Sequence, residues 1–206
     1  MDGDREREHA PATLRNREPI LEVLKNVLPV KGVLLEIASG TGEHAAFMAP
    51  RLGGGWIWQP SDLSAKALED IDSYARECGC QRIRPAMVLD VTEKTWPLDR
   101  AEAILCCNMI HIAPWKAAEG LFAGAARVLP PEAPLILYGP FKRDGEHTAP
   151  SNAKFDATFL KQRNPLWGVR CLDTEVAPLA EQYGFALDEI VQMPANNLSV
   201  IFRRKN

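Results

Sequence analysis

Apolar positions along the chain switch between a helical spacing and short runs. Ile20, Leu21, Leu24, Val27 and Leu28 recur at helical spacing from Arg17 onward, and Pro29 closes the run. Val33-Leu34-Leu35-Glu36-Ile37 then reads as a first strand that runs straight into Ser39-Gly40-Thr41-Gly42. Ala45, Ala46, Phe47, Met48 and Leu52 mark a helix that stops near Gly53-Gly54-Gly55. Trp56 to Pro60 is a second strand, closing on Ser61-Asp62, and Ser64 reads as the N-cap of a helix whose one face carries Ala67, Leu68, Ile71 and Tyr74. A third strand ends at Met87-Val88-Leu89-Asp90, and a fourth is Ala103 to Asn108. A helix follows with Leu121, Phe122, Ala125 and Leu129, and then a fifth strand, Leu135 to Tyr138. Strands alternating with helices predict a mainly parallel sheet covered on both faces.

The pattern changes near the end. Ala186–Gln192 and Leu198–Phe202 both read as strands, and only Met193-Pro194-Ala195-Asn196-Asn197 separates them. That link is too short for a crossover helix, so the pair is expected to be antiparallel. The stretch from Gly139 to Arg170 is rich in Pro, Gly, Asn and charge. It is long for a loop, and long ordered loops tend to carry function. A helix is expected within it, from Asn152 to about Gln162. Residues before about Pro11 are charged and lack an apolar face, which reads as a disordered tail.

Composition narrows the class. The 206 residues, 46% hydrophobic and 25% charged, suit a single domain with its own core. A formal net charge of −3 gives no general attraction to phosphate backbones, so nucleic acid is not an expected partner. No apolar run approaches the ~20 residues that span a bilayer, so no membrane association is expected. The charged N-terminal residues are no apolar core of a secretory signal. The five cysteines are an odd number. Cys106-Cys107 reads as buried thiols, and Cys78-Gly79-Cys80 as either a metal or redox pair or a turn between helix and strand. No histidine or further cysteine pair completes a zinc set, so no metal is expected. These features point to a reducing, cytoplasmic setting.

The candidate chemistry starts at the glycine turn. It lies at the carboxyl end of a strand, where doubly wound sheets bind ligands. Gly40-Thr41-Gly42-Glu43-His44-Ala45, with Asp62 further on, fits the dinucleotide fingerprint G-x-G-x-x-G/A and its ribose-binding acid. Two acids argue for a different ligand. Glu36 stands just before the turn, where a pyrophosphate at the helix N-terminus would disfavour it and a ligand carrying an ammonium and a sulfonium would not. Asp90, ending the third strand, can accept an adenine's exocyclic amine. Glu36, Asp62 and Asp90 thus give acids on three successive strand ends. Each has a plain alternative as a helix cap or a solvated loop residue.

Over nearly its whole length the chain resembles the class I S-adenosylmethionine-dependent methyltransferases. Four stretches are closer still to a methyltransferase-like family of unassigned substrate: Arg15 to Ile20, Leu35 to His44, Trp58 to Asp62, and Met193 to Leu198. The resemblance implies a Rossmann-like, doubly wound α/β fold with a seven-stranded sheet, order 3-2-1-4-5-7-6 and the last strand antiparallel. It implies one methyltransferase domain over residues 1–206, with a lid helix at 11–30 and a substrate-side insertion at 139–170. The cofactor would be S-adenosylmethionine and the product S-adenosylhomocysteine. Glu36 and the backbone of Ala38, Ser39, Gly40, Thr41 and Gly42 would hold the methionine part, Asp62 the ribose, and Asp90 and Val91 the adenine. Asn108, Met109 and Ile110 would lie under the sulfonium, and Arg15 and Asn16 would close over the cofactor. Ala38 departs from the class, where glycine is usual.

Transfer of an already activated methyl needs mainly alignment. A base is needed only if the acceptor holds a proton at neutral pH. His111 is the candidate base, and its alternative is bonding to loop backbone or capping the next helix. His44 reads as helix packing or support of the turn. Trp115, Phe141, Asn152, Asn196 and Asn197 are candidate contacts to substrate, with core packing the rival for the aromatics and turn geometry for the asparagines. The expected partner is a small-molecule acceptor, and the expected assembly a monomer or homodimer. An NAD-dependent oxidoreductase and a non-catalytic S-adenosylmethionine-binding partner protein are the competing functions. The Asn-Pro-Pro-Tyr type of signature used on planar amino groups is absent after the fourth strand, which lowers base methylation.

Overall fold

A computed structural model describes residues 11–206. The expected disordered tail before Pro11 lies outside the described residues.

The strands are β1 (Gly32–Ile37), β2 (Trp56–Asp62), β3 (Met87–Val88), β4 (Ala103–Cys107), β5 (Pro134–Gly139), β6 (Lys142–Arg143), β7 (Glu146–His147), β8 (Phe185–Met193) and β9 (Asn197–Arg204). Seven of them form one sheet in the order β3-β2-β1-β4-β5-β9-β8, and β6 and β7 form a separate ribbon. Numbered within the large sheet alone, this is 3-2-1-4-5-7-6, as the sequence resemblance implies. β1 pairs in parallel with β2 and β4, whereas β9 runs antiparallel to both β5 and β8. The short Pro194–Asn196 link makes β8 and β9 antiparallel to each other.

Each central strand sends alternate side chains to opposite faces. Leu35, Ile104, Leu135, Leu137, Val200 and Phe202 pack on one face with α4 (Trp115–Val128) and α7 (Ala177–Gln182). Leu34, Trp58, Leu105, Ile136, Tyr138 and Ile201 pack on the other with α1 (Pro11–Val27) and α2 (Glu43–Met48). α3 (Ala65–Cys78) is capped by Ser64, whose hydroxyl accepts the Ala67 N–H, and it buries Ile71 completely.

Four differences from the sequence expectation have physical causes. α1 starts at Pro11, ahead of the apolar spacing that begins at Arg17, because its first turns bury the polar Thr13 and Asn16, which that spacing does not register. β3 is only two residues long, and Leu89 and Asp90 follow it outside the sheet. The helix expected at 152–162 is α5 (Pro150–Phe155), a π-helical turn (Asp156–Leu160) and α6 (Lys161–Arg163). A π-helical turn at Leu172–Val176 leading into α7 went unread, although Leu172, Val176, Leu179 and Ala180 are all buried on it. Among the described residues, no helix is long and apolar enough to cross a membrane.

Candidate functional site

The glycine turn joins β1 to α2 through three left-handed residues, Ala38 (φ 55°), Gly40 (φ 59°) and Gly42 (φ 83°). A Cβ on Gly40 would meet nothing within 4 Å, so that backbone faces open space. A Cβ on Gly42 would lie 2.6 Å from the Ile71 Cα, so that glycine lets the turn press against α3. Alanine at position 38 adopts the same hand as a glycine would, at a cost of about 1 kcal/mol. The turn is tied to β2 by short bonds: Ser39 N to Ser61 O at 2.9 Å and Ser61 Oγ to Glu36 O at 2.7 Å. Asp62 braces it from the side. Its carboxylate accepts the Gly40 N–H at 3.0 Å and the Ser64 N–H at 2.9 Å. Each carboxylate oxygen keeps a further lone pair for a ligand hydroxyl.

Glu36 does not face that open space. It shares the α1/α2 side of β1 with Leu34 and is 1% exposed. Its Oε2 accepts the Trp58 indole N–H at 2.9 Å, and its Oε1 lies 3.7 Å from His44 Nδ1. Burial raises the carboxyl to about 7 and lowers His44 to about 4. Glu36 thus braces the turn through Trp58 and His44. His44 Nε2 bonds to Asn16 Oδ1 at 2.9 Å. Asn16 in turn hydrogen-bonds the Tyr138 hydroxyl, which also accepts the Asn197 side-chain N–H at 3.0 Å. A polar chain thus links β2, β1, α2, α1, β5 and β9 behind the carboxyl edge of the sheet. Asn16, Glu36 and Asn197 were legible as site residues. Trp58 and Tyr138 were not, because each reads as an ordinary apolar-strand aromatic. Arg15, one residue before Asn16, is exposed.

Asp90 lies beyond β3 at the same edge. Its Oδ1 accepts both the Thr92 N–H at 2.8 Å and the Thr92 hydroxyl at 2.7 Å, which holds the carboxyl below the usual carboxylate range. Val91 is buried, and its carbonyl packs against Gly120 of α4. Asn108 takes a left-handed conformation after β4 (φ 62°), and Met109 and Ile110 turn inward and are buried.

His111 is 1% exposed and packs edge-on to Phe141. Its Nδ1 accepts the Arg170 backbone N–H at 3.2 Å, and its carbonyl accepts the Gly168 N–H at 2.9 Å. With Nδ1 occupied, the neutral ring carries its proton on Nε2. Burial and the Arg170 charge lower the ring to about 3. His111 thus braces the loop through Nδ1, and its Nε2 is buried without a partner among the described residues.

The expected substrate contacts divide. Phe141 is completely buried in the core and forms no wall of a mouth. Trp115 is half-buried, with the Arg170 guanidinium 5.5 Å above its ring. Asn152 is buried and donates to the Asn196 carbonyl at 2.9 Å, which fastens α5 to the β8–β9 connection. Ala195 and Asn196 both stand at φ 58°. Within the insertion, Asp156 is 2% exposed and gathers Lys142, His147 and Lys161 within 3.7 Å. Sequence spacing gave no signal for that cluster. Among the described residues, no group of three or more His, Cys, Asp and Glu side chains is arranged to hold a metal ion.

Residues 7–204 match the family model DUF938, described as a protein of unknown function. The chain belongs to the DUF938 family. Solved structures similar to this DUF938 chain include an O-methyltransferase family protein from Burkholderia thailandensis, with TM-score 0.79, 15% identity, and 95% of this chain and 58% of that one covered. Human N-acetylserotonin methyltransferase in complex with S-adenosylmethionine gives 0.76, 14%, and 95% and 53%. A protein assigned as a sarcosine dimethylglycine methyltransferase from Galdieria sulphuraria gives 0.73, 15%, and 94% and 87%. The DUF938 chain spans little more than half of the first two. It has the class I methyltransferase fold.

Proposed function

We propose that this DUF938 chain is an S-adenosylmethionine-dependent methyltransferase acting on a small-molecule acceptor in the cytoplasm. The observation that carries the reading is the open left-handed turn at Gly40, braced by Asp62, at the carboxyl edge of a sheet whose last strand is reversed. The reversed strand pair supports a methyl donor over a dinucleotide, whose doubly wound sheet ends in the order 3-2-1-4-5-6. With Glu36 turned inward, the sheet rather than the acid before the turn does the discriminating. The similar human enzyme binds S-adenosylmethionine, which supports the same ligand here.

The residues fit such a ligand. Gly40 offers backbone without a side chain in the way, and the turn from Ala38 to Gly42 would follow the methionine part. Asp62 would take the ribose hydroxyls on its remaining lone pairs, and Asp90, whose Oδ2 carries no bond from Thr92, would take the adenine amine. Asn108 to Ile110 would underlie the reacting methyl, and Arg15 and Asn16 would close α1 over it as a lid. The ligand supplies a methyl already activated on sulfur. The chain's part is alignment and exclusion of water, which can supply much of the rate. The insertion at 139–170, fastened by Asn152 to the β8–β9 connection, would shape the acceptor side.

An acceptor screen reading S-adenosylhomocysteine release tests turnover. Release above the no-acceptor background supports the enzyme. Asp90→Ala is expected to weaken S-adenosylmethionine binding about tenfold, the scale of one hydrogen bond in a charged site. Tight binding with no release for any acceptor favours the non-catalytic partner.

A further inference from the structure

The insertion at 139–170 differs in charge from the rest of the chain. It holds six Lys and Arg against three Asp and Glu, a net charge of +3 inside a chain whose formal net charge is −3. A sign asymmetry of this kind points to an interaction with negative charge.

Its centre is Asp156, which is 2% exposed and whose Oδ1 accepts the Val169 N–H at 2.9 Å. Among the described residues, its Oδ2 faces three basic groups: His147 Nε2 at 3.3 Å, Lys161 Nζ at 3.4 Å and Lys142 Nζ at 3.7 Å. They come from β7, α6 and β6. The π-helical turn sets one of them. Its backbone bond from the Lys161 N–H to the Asp156 carbonyl brings Lys161 back beside Asp156, where an α-helical turn would bring Leu160. Such π turns are frequent at functional sites.

The cluster carries a surplus of positive charge. Burial and the Lys142 ammonium lower His147 below its ordinary range, which leaves the imidazole neutral at pH 7. Asp156 is ionised: burial opposes this, and the Val169 N–H and the lysines outweigh it. Among the described residues, one carboxylate charge thus meets two ammonium charges. Both ammonium contacts are longer than the about 2.7–2.9 Å of a charge-assisted hydrogen bond. Asp156 therefore draws the lysines together while leaving them N–H donors for a further partner. A brace needs one cation, and the second sets like charge beside like charge, a repulsion that an anion would relieve. The lysine side chains reach solvent, at 55% exposed for Lys161 and 22% for Lys142, with Asp156 on their inner side at 3%.

The cluster also adjoins the proposed acceptor side. Val169 stands between Gly168 and Arg170, whose backbone N–H groups donate to the His111 carbonyl at 2.9 Å and to His111 Nδ1 at 3.2 Å. His111 ends the turn Met109–His111 that follows β4.

Resting on the methyltransferase reading above, we infer that Lys142 and Lys161 form a subsite for an anionic group, a carboxylate or a phosphate, carried by the acceptor apart from the atom that is methylated. Asp156 holds the two ammoniums together before the ligand arrives, which lowers the cost of ordering two long side chains. The subsite orients the acceptor and takes no part in bond making.

Calorimetry at fixed ionic strength tests this, with inorganic phosphate and succinate as probes and S-adenosylhomocysteine present to occupy the glycine turn. Saturable one-to-one binding of either anion at millimolar concentration supports the subsite, and the tighter of the two identifies the anionic group. Lys161→Gln, at a solvent-exposed side chain, and Lys142→Gln are each expected to weaken that anion about tenfold, the scale of a lost hydrogen bond to a charged group, and to leave S-adenosylhomocysteine binding unchanged. No saturable binding of either anion, or equal binding by wild type and both variants, overturns the inference while the methyltransferase reading stands. Failure of S-adenosylhomocysteine to bind overturns that reading, and with it the assignment of the anion to an acceptor.

Discussion

At the residue scale, the Glu36–His44 pair shows how burial rather than position decides what an acid does. Glu36 sits at the strand end, where a ligand-facing carboxylate was expected, yet the two-residue period of β1 turns it to the α1/α2 face with Leu34. The folded protein holds Glu36 at about 7, above its ordinary 4.5, and His44 at about 4, below its ordinary 6.5. The signs oppose. Raised Glu36 makes the folded state bind more protons than the unfolded chain between pH 4.5 and 7, so its contribution falls as pH rises through that window. Lowered His44 makes the folded state bind fewer between pH 4 and 6.5, so its contribution rises. Between about pH 5 and 6.5 the two nearly cancel. His111, lowered to about 3, adds a rise that the pair does not oppose. Glu36→Gln removes only the falling part. Urea denaturation across pH 5 to 6.5 is expected to show stability rising more steeply in the variant, by about 1 kcal/mol per pH unit. Equal slopes in variant and wild type would show that Glu36 is ionised in the folded protein.

At the scale of elements, the β1–turn–α2 unit was the part most legible in the sequence, because an apolar run, glycines and a helical run follow one another without a gap. The last hairpin was equally legible from the length of its link. Less could be read where polar groups pack inward. The first turns of α1 bury Thr13 and Asn16, and the insertion folds around Asp156, which no apolar period marks. Phe141 was misplaced because an aromatic just after a strand looks the same whether it enters the core or lines a mouth. Tyr138 was read only as a strand terminus, since its partners Asn16 and Asn197 are far from it in sequence. The two glycines of the turn have separable duties that substitution distinguishes. Gly42→Ala brings a Cβ to 2.6 Å from the α3 backbone at a left-handed position, and is expected to cost about 2–3 kcal/mol of stability. Gly40→Ala meets open space and is expected to cost only about 1 kcal/mol, yet to weaken S-adenosylmethionine by placing a methyl where the ligand would approach. Urea denaturation and calorimetry on both variants check the division, and an equal stability loss would contradict it.

At the scale of the molecule, the sheet order and the reversed β9 were expected from the sequence and are present. The reason such topology is legible is that each strand, link and turn constrains its neighbours. A short link forbids a crossover, and a both-sides-apolar strand demands cover on two faces. The chemistry is set by fewer residues and is therefore harder to read. His111 became a brace once Arg170 came against it, and the polar chain from Trp58 to Asn197 crosses six elements. The central claim is that this edge binds S-adenosylmethionine. Isothermal calorimetry of the intact chain with S-adenosylmethionine, and separately with NADH, tests it most directly. The account predicts saturable one-to-one binding of S-adenosylmethionine and none of NADH. No heat of binding at millimolar S-adenosylmethionine from folded protein, or preferential binding of NADH, would contradict it.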